Sequence, residues 1–189
     1  MNALRPAAGL VAAAVFAALA AAPAAHAESI TEKTGVNSML GVSPSTPDFV
    51  RQVAISDMFE IQSSMLAKQR GDAAEQAFAE KMIEAHGKTT AALKTLIADH
   101  KINVDLPHAL DNSHQGKLDA LKELTGADFN KRYRDDQVKA HKDAIDLFER
   151  YAKGGDNEAL KQWASATLPE LRSHLDMADK LQVAENMAK

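Results

Sequence analysis

From Phe78 to His100 the chain reads FAEKMIEAHGKTTAALKTLIADH, with apolar positions recurring at alternating spacings of four and three residues. Phe78, Met82, Ala85, Thr89, Leu93, Leu96 and His100 therefore share one face, the stripe of a long helix in a bundle. At about 100° per residue His86 lies roughly 50° from the centre of that stripe, which turns its imidazole toward the interior.

Three further stretches carry the same period. One starts near Asp48 and ends at Arg70, with Gly71-Asp72 as the turn into the next helix. Its apolar face is Val50, Val53, Ala54, Met58, Ile61 and Met65; Glu60 lies at the margin. Asp57 falls nearer the centre, where a carboxylate either faces inward or reaches sideways to solvent or a lysine. A third helix is expected from a cap at Asp128 to Gly154-Gly155, with Phe129, Tyr133, Gln137, Ala140, Ala144, Phe148 and Tyr151 inward and His141 on their flank. A fourth opens at Asp156 or Asn157 and runs to about Glu185. It turns Leu160, Ala164, Thr167, Leu171, Leu175, Ala178 and Leu181 inward, with His174 within about 40° of that line. Pro169 lies inside this helix and frees the carbonyl of Ser165, so a kink is expected there.

The segment KINVDLPHALDNSHQGKLDALKELTGAD after His100 is too long for a hairpin between neighbouring antiparallel helices, for which about 2 to 8 residues suffice. A crossover is implied, and through it the second and third long helices can run parallel. Leu118, Leu121 and Leu124 place a short helix within it, opened by Asp111 or Ser113 and stopped by Gly126. The pattern predicts an all-α chain: two long helical hairpins joined by one long crossover with its own short helix, the ferritin-like arrangement of a four-helix bundle.

The N-terminus follows different rules. Arg5 supplies a positive start, Ala7 to Ala22 an apolar core, and Ala25-His26-Ala27 an A-x-A triplet, so residues 1–27 read as a signal peptide cleaved after Ala27. The apolar run approaches the ~17 to 20 residues of a membrane span, but its alanine content, Pro23 and the triplet favour cleavage over anchoring. The mature chain is then expected in the periplasm or outside the cell, with no other span. Residues 28–47, rich in Gly, Ser and Pro and without period, read as an extended or disordered arm before a bundle domain at 48–187.

Composition narrows the chemistry. The 189 residues include no cysteine, which removes thiol nucleophiles, thiolate metal sites and disulfides together. The net charge of -4 is small and both signs are interspersed, which disfavours nucleic acid as a partner. There is no P-loop, G-x-G-x-x-G, H-E-x-x-H or G-x-S-x-G, so enzymatic activity is the minority reading and no catalytic residue is assigned.

Glu60, His86, His141 and His174 each stand near the middle of a different long helix, and folding can bring them to a similar depth. Three imidazoles and a carboxylate suit zinc or copper, with iron a further candidate. Di-iron bundle proteins place Glu-x-x-His on two helices, whereas the residues three before His86 and His174 are Ile83 and Leu171, which argues against a bridged di-iron centre. The plainer alternative is a set of core histidines hydrogen-bonded to neighbours such as Tyr133, Gln137 and Glu60. His100, His108 and His114 read as surface residues, the methionines as packing, and Trp163 as a side chain under the crossover.

Asp48-Phe49-Val50, Glu60-Ile61, Phe78-Ala79 with Met82 and His86, Leu106-Pro107, Tyr133 with Gln137 and His141, and Leu168-Pro169 with Leu171-Arg172 and His174-Leu175 follow one another in order. In this the chain resembles, over about Pro47 to Leu181, a family of secreted bacterial ferritin-like domains of unknown function. The resemblance implies the fold and an exported address, and brings no activity with it. The leading expectation is therefore a non-catalytic exported bundle acting in the envelope or under stress. Its alternative is a metal-binding module built on the four mid-helix residues, and a degenerate ferritin-like oxidase comes last. The sequence names no partner, and a homo-oligomer is compatible with it.

Overall fold

The computed structural model describes Ser29 and residues 36–187, with side chains for Ser29 and for residues 37–181. The expected signal segment 1–27, and the arm at residue 28 and residues 30–35, lie outside the described residues. Among the described residues all regular structure is helical: α1 (Val36–Met39), α2 (Thr46–Arg70), α3 (Ala73–Asp99), α4 (Asn112–Glu123), α5 (Gly126–Gly154) and α6 (Glu158–Met187).

Local chemistry explains the ends. Helix α2 starts two residues before the expected Asp48, because Ser45 caps it, its Oγ accepting from the Asp48 N–H at 3.3 Å, and Pro47 is tolerated in a first turn. Helix α3 opens with a capping box. The Asp72 carboxylate accepts from the N–H groups of Ala74 and Glu75, and Glu75 Oε2 accepts from Asp72 N–H at 2.8 Å. Asp111 caps α4 through the His114 N–H at 2.8 Å. The expected boundary at Gly126 needs correcting: Gly126 does not stop the crossover helix but begins α5 at φ 56°, with Thr125 at the cap position, so Asp128 is a first-turn residue and not the cap. Of the two expected openings for α6 the later one holds, since Asn157 Oδ1 accepts from the Leu160 N–H at 3.1 Å. Pro169 lies within α6 as expected.

The four long helices pack as a bundle. Helix α2 lies against α3 and α5, and α6 lies against α5 and α3, while the crossover helix α4 rests on α2 and α5. Helices α3 and α5 thus stand diagonally across the ring. The described part of the arm is tied down, unlike the extended or disordered segment expected. Ser38 Oγ donates to Asp146 Oδ2 at 2.8 Å, Arg150 Nη1 donates to the Val42 carbonyl at 2.7 Å, and Thr46 meets Tyr151 and Asp156.

Two apolar layers fill the interior. One holds Phe49, Val50, Val53, Leu93, Phe148, Tyr151, Leu160 and Leu171, with Phe49 stacked on Tyr151 at 3.9 Å; Trp163 packs against this cluster, as do Ile102, Val104 and Leu106 of the crossover. The other holds Ala67, Phe78, Met82, Leu121, Phe129, Tyr133 and Ala178. On each helix these layers are separated by a polar stretch: Asp57, Glu60, Ser63 and Ser64 on α2, His86 on α3, Gln137 and His141 on α5, and His174 on α6, all buried.

That middle layer accounts for the departures from the expected stripes. Met65 is 50% exposed and Met58 half-buried, because at this depth of α2 the buried positions are Asp57, Phe59, Glu60, Ser63 and Ser64, of which Asp57, Ser63 and Ser64 have hydrogen-bond partners across the bundle. His86 is in the buried face of α3 and not beside it, whereas His100 at the helix end is exposed. His114 also departs from the surface reading. It is half-buried, holds Asp111 through Nδ1 at 2.8 Å and packs edge-on to Phe59.

Candidate metal centre

His86, His141 and His174 come from three helices and converge. Their ring centroids lie 5.4 to 5.8 Å apart, and each ring offers one nitrogen within 4.8 Å of those of the other two. All three are buried, at 4%, 1% and 7% exposure, so the arrangement is an interior one. Nitrogens bound tetrahedrally to one ion at 2.0–2.1 Å would stand roughly 3.4 Å apart, inside the 4.8 Å within which these three lie.

Hydrogen bonds orient two of the three rings. His86 Nδ1 lies 2.8 Å from Asp57 Oδ1, and Asp57 Oδ2 accepts from the Thr90 hydroxyl at 2.8 Å. His141 Nδ1 lies 2.9 Å from the Gln137 carbonyl oxygen, which can only accept, so that nitrogen carries the proton. His174 Nε2 stands 3.8 Å from Glu170 Oε1, beyond hydrogen-bond reach. The nitrogens left buried with no protein partner are His86 Nε2, His141 Nε2 and His174 Nδ1.

Glu60 sits in the same layer at 1% exposure, outside the three-nitrogen group but with both carboxylate oxygens buried and without a partner. Gln137 is beside it, yet the Gln137 amide donates to Ser63 Oγ at 3.3 Å. Burial pushes the Glu60 carboxyl up to about 7, against the pull of His86 and Gln137. Burial and then the charge of His86 push His141 down to about 3 and His174 down to about 4. For His86 burial works to lower its pKa, but the Asp57 hydrogen bond and the charges of Glu60 and Asp57 prevail and raise it above the ordinary value. Two neutral imidazoles thus face a third that readily takes a proton.

Buried polar atoms nearly always have partners, and six partnerless ones in a single layer, the three inward histidine nitrogens, both Glu60 oxygens and Gln137 Oε1, are a large departure. The arrangement can bind a Lewis acid through imidazole lone pairs, with a carboxylate at hand to balance charge. Residues 31–181 match the family described as a domain of unknown function, DUF4142. The chain belongs to this family. No curated protein and no solved structure matches it. Membership of DUF4142 therefore fixes a lineage for the helical domain and leaves its chemistry to the residues themselves.

All four site residues expected from the sequence lie in one buried layer, and the three histidines share one centre. Asp57, left open between inward and sideways, is inward, at 3% exposure. Thr90, hydrogen-bonded to Asp57, is a further partner that the sequence did not single out, and the exposed Glu170 lies 3.8 Å from His174. The signal for Thr90 was its spacing: it is four residues after His86 and so shares its face of α3.

Proposed function

We propose that this protein is an exported ferritin-like bundle that binds one transition-metal ion between His86, His141 and His174, with the partnerless Glu60 carboxylate in the same buried layer. The observation that carries the proposal is the set of three inward imidazole nitrogens without protein partners, presented by three different helices. A merely structural histidine core would use those nitrogens in hydrogen bonds, as Tyr133 uses its hydroxyl on Ser64 at 2.9 Å. An all-nitrogen set with one carboxylate and no thiolate favours zinc or copper(II), with iron(II) less well served. Ring order α2, α3, α6, α5 and one long connection support the ferritin-like reading. No helix among the described residues is long and apolar enough to cross a membrane, which suits a metal-handling module released from its signal segment.

Metal content tests the proposal. Protein stripped with chelator and dialysed against zinc, copper(II) or iron(II) should retain about one equivalent of zinc or copper, and His86→Ala, His141→Ala or His174→Ala should each abolish retention. Retention absent from the wild type, or unaffected by all three changes, would overturn it. Export has its own test. Protein released from the periplasm should have the mass of a chain beginning at Glu28, and an intact N-terminus extracted only by detergent would establish an anchor.

A further inference from the structure

We infer that Asp57, braced by Thr90, is the positioning residue of this centre: it holds His86 with Nδ1 protonated and Nε2 turned inward, and so sets the strength of metal binding. The inference rests on the metal reading above and adds a residue and a role to it.

The geometry supplies each step. A neutral imidazole has one N–H and one lone pair, and only the lone pair can ligate a metal. A carboxylate can only accept, so the 2.8 Å contact between Asp57 Oδ1 and His86 Nδ1 assigns the proton to Nδ1 and the lone pair to Nε2. The second oxygen of Asp57 is engaged by Thr90, which donates at 2.8 Å from the next turn of the same helix as His86. One carboxylate from α2 therefore clamps two positions of α3, and its rotation is fixed at both oxygens. With Asp57 at 3% exposure and His86 at 4%, little solvent competes for the pair.

The three rings are held unequally. His86 has a buried carboxylate behind it, His141 a neutral carbonyl, and His174 only an exposed carboxylate at 3.8 Å. A carboxylate behind a ligating imidazole makes the opposite nitrogen a stronger donor, and loss of such an outer partner typically lowers metal affinity 10- to 100-fold. His86 is thus the ring whose orientation is most strongly set before any ion arrives.

Two readouts test this on the full chain. Nitrogen–proton correlation spectra of chelator-stripped protein at pH 8 report the tautomer of His86, and competition with a chromophoric chelator reports zinc affinity. Wild type should show the Nδ1–H form. Asp57→Ala should shift His86 toward the Nε2–H form and weaken zinc binding about 10- to 100-fold. Thr90→Val should weaken it less, and Glu170→Gln least. Should Asp57→Ala fail to fold, Asp57→Asn, which keeps the shape and can still accept through its amide oxygen, carries the test with an intermediate loss. A purely structural Asp57 would lower the melting temperature while leaving tautomer and affinity unchanged, and that result would overturn the inference. Zinc binding absent from the wild type would instead refute the metal reading beneath it.

Discussion

Glu60 and Glu75 are both buried, at 1% and 0% exposure, and burial pushes both carboxyls up to about 7, yet their hydrogen bonding differs completely. Glu75 accepts from the Asp72 backbone with one oxygen and from the Arg134 guanidinium with the other, closing the N-terminus of α3 onto α5. Glu60 has no hydrogen bond at either oxygen, and the histidines sharing its layer have none at their inward nitrogens. A fold under selection for stability alone has the means to build the first kind of centre, and here it does. The second kind costs stability in the metal-free protein, which is why we read it as a binding site.

Breaking the satisfied centre should produce the largest effect. Arg134→Ala leaves Glu75 buried without its cation, and loss of one partner from a buried pair costs about 3 to 5 kcal/mol. Urea denaturation should show that loss whether or not metal is present.

The unsatisfied centre should respond with the opposite sign. In chelator the Glu60 carboxyl, pushed up to about 7, holds its proton in the folded state and must lose it as the pH rises. Relative to an unfolded glutamate, stability is then lost between about pH 4.5 and 7, so Glu60→Gln should gain stability on the wild type toward pH 8. The shift corresponds to about 3 kcal/mol at most. Zinc should reverse the ranking, since an ionised carboxylate beside the ion becomes an asset.

Acid acts through the two depressed histidines. Folded His141 and His174 stay neutral down to about 3 and 4, whereas an unfolded histidine takes a proton below about 6.5. The unfolded state binds more protons in that window, so stability falls with pH from about 6.5 toward 4 and is flat below both folded values. Glu60 opposes that fall down to about pH 4.5, because it holds its proton more tightly when folded, whereas the gain from His86, raised above its ordinary value, is already complete near pH 6.5. Melting of His141→Gln against wild type in chelator should show the difference: the variant should escape about 2 kcal/mol of the loss between pH 6.5 and 5.

The smallest effect is a control outside both centres. Gly126 opens α5 at φ 56° with open space where a Cβ would stand, so Gly126→Ala should cost only the backbone term, about 1 kcal/mol. Neither metal nor pH should alter that figure.

Helix periodicity made most of the fold legible, because Leu, Phe and Ala recur at bundle spacing on α3, α5 and α6. On α2 it misled: Met58 and Met65 share the apolar period, but the interior at that depth is taken by Asp57, Glu60, Ser63 and Ser64. An apolar stripe marks the core only where the core is apolar, and this layer is polar. Convergence of His86, His141 and His174 could be anticipated from their mid-helix depth alone. The direction of each ring could not, since it depends on Asp57 and Thr90 reaching across two helices and on a carbonyl one turn before His141. Of the two openings expected for α4, Asp111 is the cap, and Asp72, expected only as part of a turn, caps α3 by the same local rule. At Gly126 the same residue type that ends helices begins one, a choice made by packing of α5 and not by local preference.

Crystals of the protein grown with one equivalent of zinc, with diffraction data collected on both sides of the zinc absorption edge, would show whether the three buried rings hold an ion. One strong anomalous peak is expected between His86 Nε2, His141 Nε2 and His174 Nδ1, at about 2.0–2.1 Å from each. Zinc found only on His100, His108 or the Asp111 and His114 pair, with no peak among the three buried rings, would contradict it.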